Sequence, residues 1–259
     1  MIVFHYNRTF EGLMCAVFDS FELKIVPDRL LSIGTIEPMF TEISHTVTID
    51  KAHSKRVWDG LGKRLDRQAR NMIVYVWLSE LEGCDELLFR FIRTIFSTTK
   101  RIEFDFGDAD VLEVHSIARK VAHEAQYLKQ FVRFQKAADD IFFAPVRPIY
   151  NALPLALDHF VDRFADQQWV IYDLGRKYGY YYDLHETKEI TFSAGTGEGE
   201  NKHFIDGKLD EALMERDEKL FQDLWKGYFK AITIKERINP RLHRKNMPTR
   251  FWREITEKQ

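Results

Sequence analysis

The sequence predicts an α+β fold on three observations: an opening strand followed at once by an amphipathic helix, a long middle stretch of helical periodicity, and a later run of short strands joined by tight turns around one helix. Ile2 to Tyr6 has strand composition, and Thr9 is placed to cap a helix with Leu13, Met14, Val17, Phe18 and Phe21 on one stripe. Residues 25–43 are interrupted by Pro27, Gly34 and Pro38 and read as irregular, whereas His45 to Ile49 alternates like a strand. From Ala52 to about Lys100 the pattern is helical. Trp58, Leu61 and Leu65 recur at helical spacing, Met72 to Leu81 is strongly apolar, Glu82 and Gly83 break the run, and Leu87, Leu88, Phe91, Ile92 and Ile95 mark the next helix. Asp108 to Phe131 follows as a long helix with Val114, Ile117, Val121, Ala125 and Leu128 facing inward.

After Phe131 the character changes. Phe131 to Phe134 and Ile141 to Val146 have strand composition, separated by a turn at Ala138, Asp139 and Asp140. A helix from about Leu153 carries Leu157, Phe160, Val161 and Phe164, and strands return at Trp169 to Leu174, Tyr178 to Asp183 and Glu189 to Phe192. Tight turns between successive strands point to an antiparallel sheet with packed helices. A flexible polar loop near 193–206, then a C-terminal helix from about Leu209 to Ile232 and a basic tail filling 207–259, complete a chain read as a single domain over 1–259.

A chain of 259 residues, 45% hydrophobic and 30% charged, is long enough to bury a core of ordinary size, and 21 Phe residues make that core ring-rich. The formal net charge of -2 is uninformative about anionic partners, so local patches decide. Cys15 and Cys84 sit in apolar helical contexts and read as buried thiols, consistent with a reducing compartment. No apolar run approaches a membrane span and no basic region precedes one at the N-terminus, so a cytoplasmic location is expected. The sequence has no cysteine cluster, no glycine-rich phosphate loop and no serine-hydrolase elbow; no metal or cofactor is expected.

Several side-chain sets have the chemistry of a site. Arg56, Lys63, Arg67 and Arg70 are spaced to share one helical face opposite Trp58, Leu61 and Leu65, a stripe suited to phosphates or to plain solvent. On the helix Asp108 to Phe131, Arg119 and His123 share a face with Glu124 beside them. These are the residue types of an acid and base or a ligand pair, and equally of an interface. His159, Asp162 and Arg163 lie at helical spacing, as a site or a surface ion-pair cluster. Arg176 occupies the bend between strands bearing Trp169, Tyr172, Tyr178, Tyr180, Tyr181 and Tyr182, rings that either stack unpaired bases or pack under the preceding helix. Residues 226–258 hold ten Lys or Arg, Arg241, Arg244 and Arg250 among them, against three acids, with Phe251 and Trp252 as anchors. Arg133 completes the basic positions considered for nucleic acid.

The opening Tyr6, Asn7, Arg8, Thr9, Phe10, Glu11, Gly12, Leu13, the helix Ala118 to Glu124 running into Phe131 to Phe134, the segment Phe143, Ala144, Pro145, the window Phe160 to Asp183, and the tail with Asn239, Pro240, Met247, Pro248 and Trp252 resemble a bacterial family described as a probable DNA metabolism protein. The resemblance implies an accessory role in DNA repair or modification, with DNA and a radical S-adenosylmethionine protein as partners. It also implies kinship to segments fused to a uracil-DNA-glycosylase-like domain. It assigns no activity. An enzyme using His123, Glu124, His159 or Asp162, and a scaffold that never touches DNA, are the alternatives.

Overall fold

The computed structural model describes residues 1–137, 140–191, 204–205, 208–209, 222–226, 239–253 and 255. The chain divides into two compact units, Met1–Ala122 and His123–Gln259. The fold is mixed α+β, but its sheets are not simply antiparallel.

The first unit is built on β1 (Ile2–Tyr6), flanked by β2 (Arg29–Ser32) and β3 (Ile43–Thr46), both parallel to it. A parallel neighbour requires a crossover, and α1 (Phe10–Glu22) supplies it between β1 and β2. β2 lies within the stretch expected to be irregular: four residues of strand between Pro27 and Gly34 leave no visible alternation. Thr9 caps α1 as its sequence suggests, its hydroxyl accepting from the Gly12 amide at 3.0 Å. α2 (Lys51–Arg64) starts at Asp50, whose carboxylate accepts from the Ala52 and His53 amides. It ends at an extended Leu65, and Asp66 caps α3 (Arg67–Leu78). Gly83, at φ +76°, turns the chain into α4 (Cys84–Ser97), the break expected there. Val3, Phe4, Leu13, Leu61, Ile73, Leu88 and Ile92 are fully buried in this unit, and both cysteines are buried thiols. α5 (Ala109–Phe131) is the long helix, with Val114, Val121 and Leu128 buried as its periodicity requires.

In the second unit β4 (Gln135–Lys136), β5 (Phe142–Val146), β6 (Trp169–Asp173), β7 (Tyr178–Tyr182) and β8 (Thr187–Ile190) form one sheet in that order. Residues 132–134 belong to no strand. β5 and β6 are parallel, and a 3-10 turn, Leu153–Ala156, with α6 (Leu157–Arg163) carries the crossover; the other pairings are antiparallel. Trp169 and Tyr182 face each other across β6 and β7 and stack at 5.3 Å, against Phe134 and Phe160. Phe143, Val170, Tyr172 and Tyr181 cluster on the opposite face. Gly179 lies across from Tyr172, and a Cβ there would come within 2.8 Å of the Tyr172 Cα, so the strands close over a missing side chain.

The expected loop near 193–206 and the helix Leu209–Ile232 fall mostly outside the described residues. Phe204–Ile205 pairs with Lys208–Leu209, and residues 222–226 are helical. Among the described residues no helix is long and apolar enough to cross a membrane.

Candidate functional site

In the first unit, α1, α2 and α4 leave an open groove of about 880 Å³. Its apolar lining is Val17, Phe18 and Phe21 from α1, Val57 from α2 and Phe96 from α4; Lys55, Arg56 and Lys63 line it from α2. Gly60 lets α2 approach closely, since a Cβ there would meet the Phe96 ring at 3.0 Å. The Arg56 guanidinium lies 5.7 Å from the Phe18 ring centre, Arg64 5.5 Å from Phe96 and Arg93 5.4 Å from Phe21. His53 stacks on Phe18 at 3.8 Å. Guanidinium over an aromatic face is attractive through the ring quadrupole, and it holds positive charge around an apolar floor. Glu22 and Asp59 also line the groove, setting two carboxylates against the three cations. A ring-floored, cation-rimmed groove can accept a planar base by stacking and its phosphate by charge-assisted hydrogen bonds.

The structure divides the basic stripe read from the sequence. Arg56 and Lys63 are on α2 in the groove, but Arg67 and Arg70 are on α3, because the chain is extended at Leu65 and restarts at Asp66. Arg70 returns to α2 in another way, its guanidinium 4.5 Å from the Trp58 ring centre. Asp66, an N-cap residue type in mid-run, was the signal for this break. Lys55 and the rings of Phe21 and Phe96 are groove residues that helix spacing alone did not reveal, since they come together only when three helices pack.

The remaining candidates are dispersed. Arg119 and His123 are exposed on α5, and Arg241 and Arg244 are exposed on the short helix Pro240–Asn246. Arg133 donates to the carbonyls of Gln130 and Val132 at the end of α5. Arg176 donates to Asp173 at 3.0 Å and to the carbonyls of Pro148 and Ile149 at 3.1 Å each, clamping the loop after β5 to the β6–β7 bend. Asp173 is fully buried and also accepts from the Gly175 and Arg176 amides. Of the rings around that bend, Tyr178 donates to Asn151. Tyr180 is half-buried, and burial with nearby Glu189 pushes its hydroxyl up to about 12.

Glu124 is 2% exposed, accepting from the Ile149 amide at 2.9 Å and from Arg250 at 2.5 Å. Burial pushes its carboxyl up, against the opposing pull of Ile149, Arg250 and Arg176. It is an internal ion-pair residue, with His123 beside it in sequence turned to solvent. His159 meets Phe160 edge-on at 5.5 Å, and Asp162 is exposed on the same helix. Among the described residues no group of three or more His, Cys, Asp or Glu side chains is placed to hold a metal ion.

A family model described as a domain of unknown function, DUF4130, matches residues 82–257. No curated protein matches the sequence. Among solved structures, the chain is similar to a pGpG-specific phosphodiesterase, PggH, from Vibrio cholerae, at 9% identity over 70% of this chain and 81% of that one. The TM-score is 0.33, too low to carry fold or function across.

Proposed function

The chain belongs to the DUF4130 family, whose description names no activity, and from that premise we propose that it is a DNA-binding accessory protein of DNA repair or modification. The groove between α1, α2 and α4 receives an unpaired strand, with Phe21 and its neighbouring rings stacking bases and Lys55, Arg56 and Lys63 meeting phosphates. The single observation that carries this reading is the coincidence of partly exposed rings and cations in one concave surface. The partner in this reading is a radical S-adenosylmethionine protein, in keeping with the resemblance of the sequence. The exposed Arg241 and Arg244 are available for further phosphate contact from the tail. Arg176 and Arg250 are spent on internal carboxylates and carbonyls, so they take no part.

Fluorescence anisotropy with labelled oligo-dT tests the proposal. Binding is expected at low salt, with affinity falling steeply as salt rises because counterions are released. Replacing Lys55, Arg56 and Lys63 together by Glu should weaken it by about a hundredfold, by analogy with losing two to three phosphate contacts. Phe21→Ala should cost about 1–3 kcal/mol, the range for a lost base stack. Absence of a complex at low salt, or a triple variant that binds like the parent, would remove the proposal.

A further inference from the structure

The groove between α1, α2 and α4 is polarised across its width. Its lining cations, Lys55, Arg56 and Lys63, all come from α2, and its floor is the rings of Phe18, Phe21 and Phe96. The facing wall, α1, lines the groove with Val17, Phe18, Phe21 and Glu22, so the one charged residue on that side is a carboxylate. Glu22 is exposed and adjoins Phe21, whose ring is 40% exposed. Nothing in the helix favours an acid there. Glu22 is the last residue of α1, at the negative end of the helix dipole, and no basic residue lies in that turn. Among the described residues none forms an ion pair with it. Its carboxylate is thus unspent, and it faces the cationic wall across the rings.

An unpaired nucleic-acid strand is polarised in the same sense. Its phosphates run along one side, and each base projects away from them with its Watson–Crick edge outermost. A strand whose phosphates meet α2 therefore lays a base over the rings with that edge toward α1 and Glu22. A carboxylate repels phosphate and only accepts hydrogen bonds, so it selects for donors on the base edge. Guanine presents two adjacent donors, N1–H and the N2 amine, which match the two carboxylate oxygens. Adenine and cytosine each present an amine beside a ring nitrogen whose lone pair opposes the carboxylate, and thymine presents one N–H between two carbonyls. Asp59 has a different place: it lies four residues from both Lys55 and Lys63 on α2, within the cationic wall, where it separates phosphate contacts. We propose that Glu22 reads guanine, so that the groove selects a strand with guanine at the position stacked on Phe21. This rests on the assignment of the groove to an unpaired strand and adds the base it prefers.

Fluorescence anisotropy of the full chain with short thymidine oligonucleotides that differ only in the central base tests this. A central guanine should tighten binding by about tenfold over thymine, adenine or cytosine, the discrimination of one bidentate contact. Hypoxanthine, which keeps N1–H but lacks the amine, should lose most of that gain. Glu22→Gln should bind all the oligonucleotides alike, because its amide sets a donor against a guanine donor, and its continued binding shows that it is folded. Asp59→Asn should still prefer guanine. Binding of oligo-dT with no gain from guanine, a preference that survives Glu22→Gln, or one that disappears in Asp59→Asn overturns the inference and leaves the assignment of the groove standing. No complex with any oligonucleotide at low salt overturns both.

Discussion

Tyr6 ends β1 with its ring buried and its hydroxyl donating to Asp85 at 2.7 Å across 79 residues of sequence. Burial raises its ionisation well above the ordinary phenol range, and the Asp85 carboxylate raises it further. Asp85 is itself buried, on the first turn of α4, with Arg8 at 3.8 Å from outside. The hydroxyl is therefore a tie between the central strand and α4. Tyr6→Phe keeps the ring and removes the donor, leaving a buried acceptor short of a bond. Urea unfolding should show a loss of about 1–3 kcal/mol. The motif around Tyr6 was visible in the sequence, but its partner was not, because a pairing over such a separation has no local signature.

Among elements, the chain's last described turn docks on α5 through an ion pair and a cluster of rings. Arg250 lies in the 3-10 turn Thr249–Arg253 and reaches Glu124 on α5, while Phe251 and Ile255 pack with Phe131. Glu124 is one of the residues whose type suggested an acid or base, and Arg250 one of those expected on nucleic acid. In the structure the two are paired with each other. Composition could not show it, since a Glu on a helix reads as solvated until something is found covering it. Arg250→Ala should destabilise by about 3 kcal/mol at neutral pH, the low end for a broken buried pair, because Arg250 is partly exposed. The pH dependence has a definite sign. The folded-state carboxyl titrates above its unfolded value, so Glu124 favours folding most when protonated and less as pH rises through the raised value. Removing Arg250 removes a group that opposes that shift, so thermal melts should show the smallest loss in acid and the largest at neutral pH and above.

At the scale of the molecule, each compact unit contains a parallel strand pair bridged by a helix, β1–α1–β2 in one and β5–α6–β6 in the other. Helices and strands were largely readable from periodicity, as α1, α4, α5, β6 and β7 show. Strand direction was not: Ile171 alternates inward and outward whether its neighbour runs with it or against it, and only the length of the connection distinguishes the two. The groove was half readable for a similar reason. Arg56 and Lys63 announce themselves as charges on one helix, whereas Phe18, Phe21 and Phe96 look like ordinary core until α1, α2 and α4 are packed and part of their surface is left open.

The most direct measurement of that groove's role is ultraviolet crosslinking of the protein to an oligo-dT carrying 4-thiothymidine, followed by mass spectrometry of the peptides. Adducts on peptides containing Phe18, Phe21 or Phe96, lost at high salt, are the expected result. Adducts confined to residues 240–253, with the groove peptides unmodified, would contradict the account.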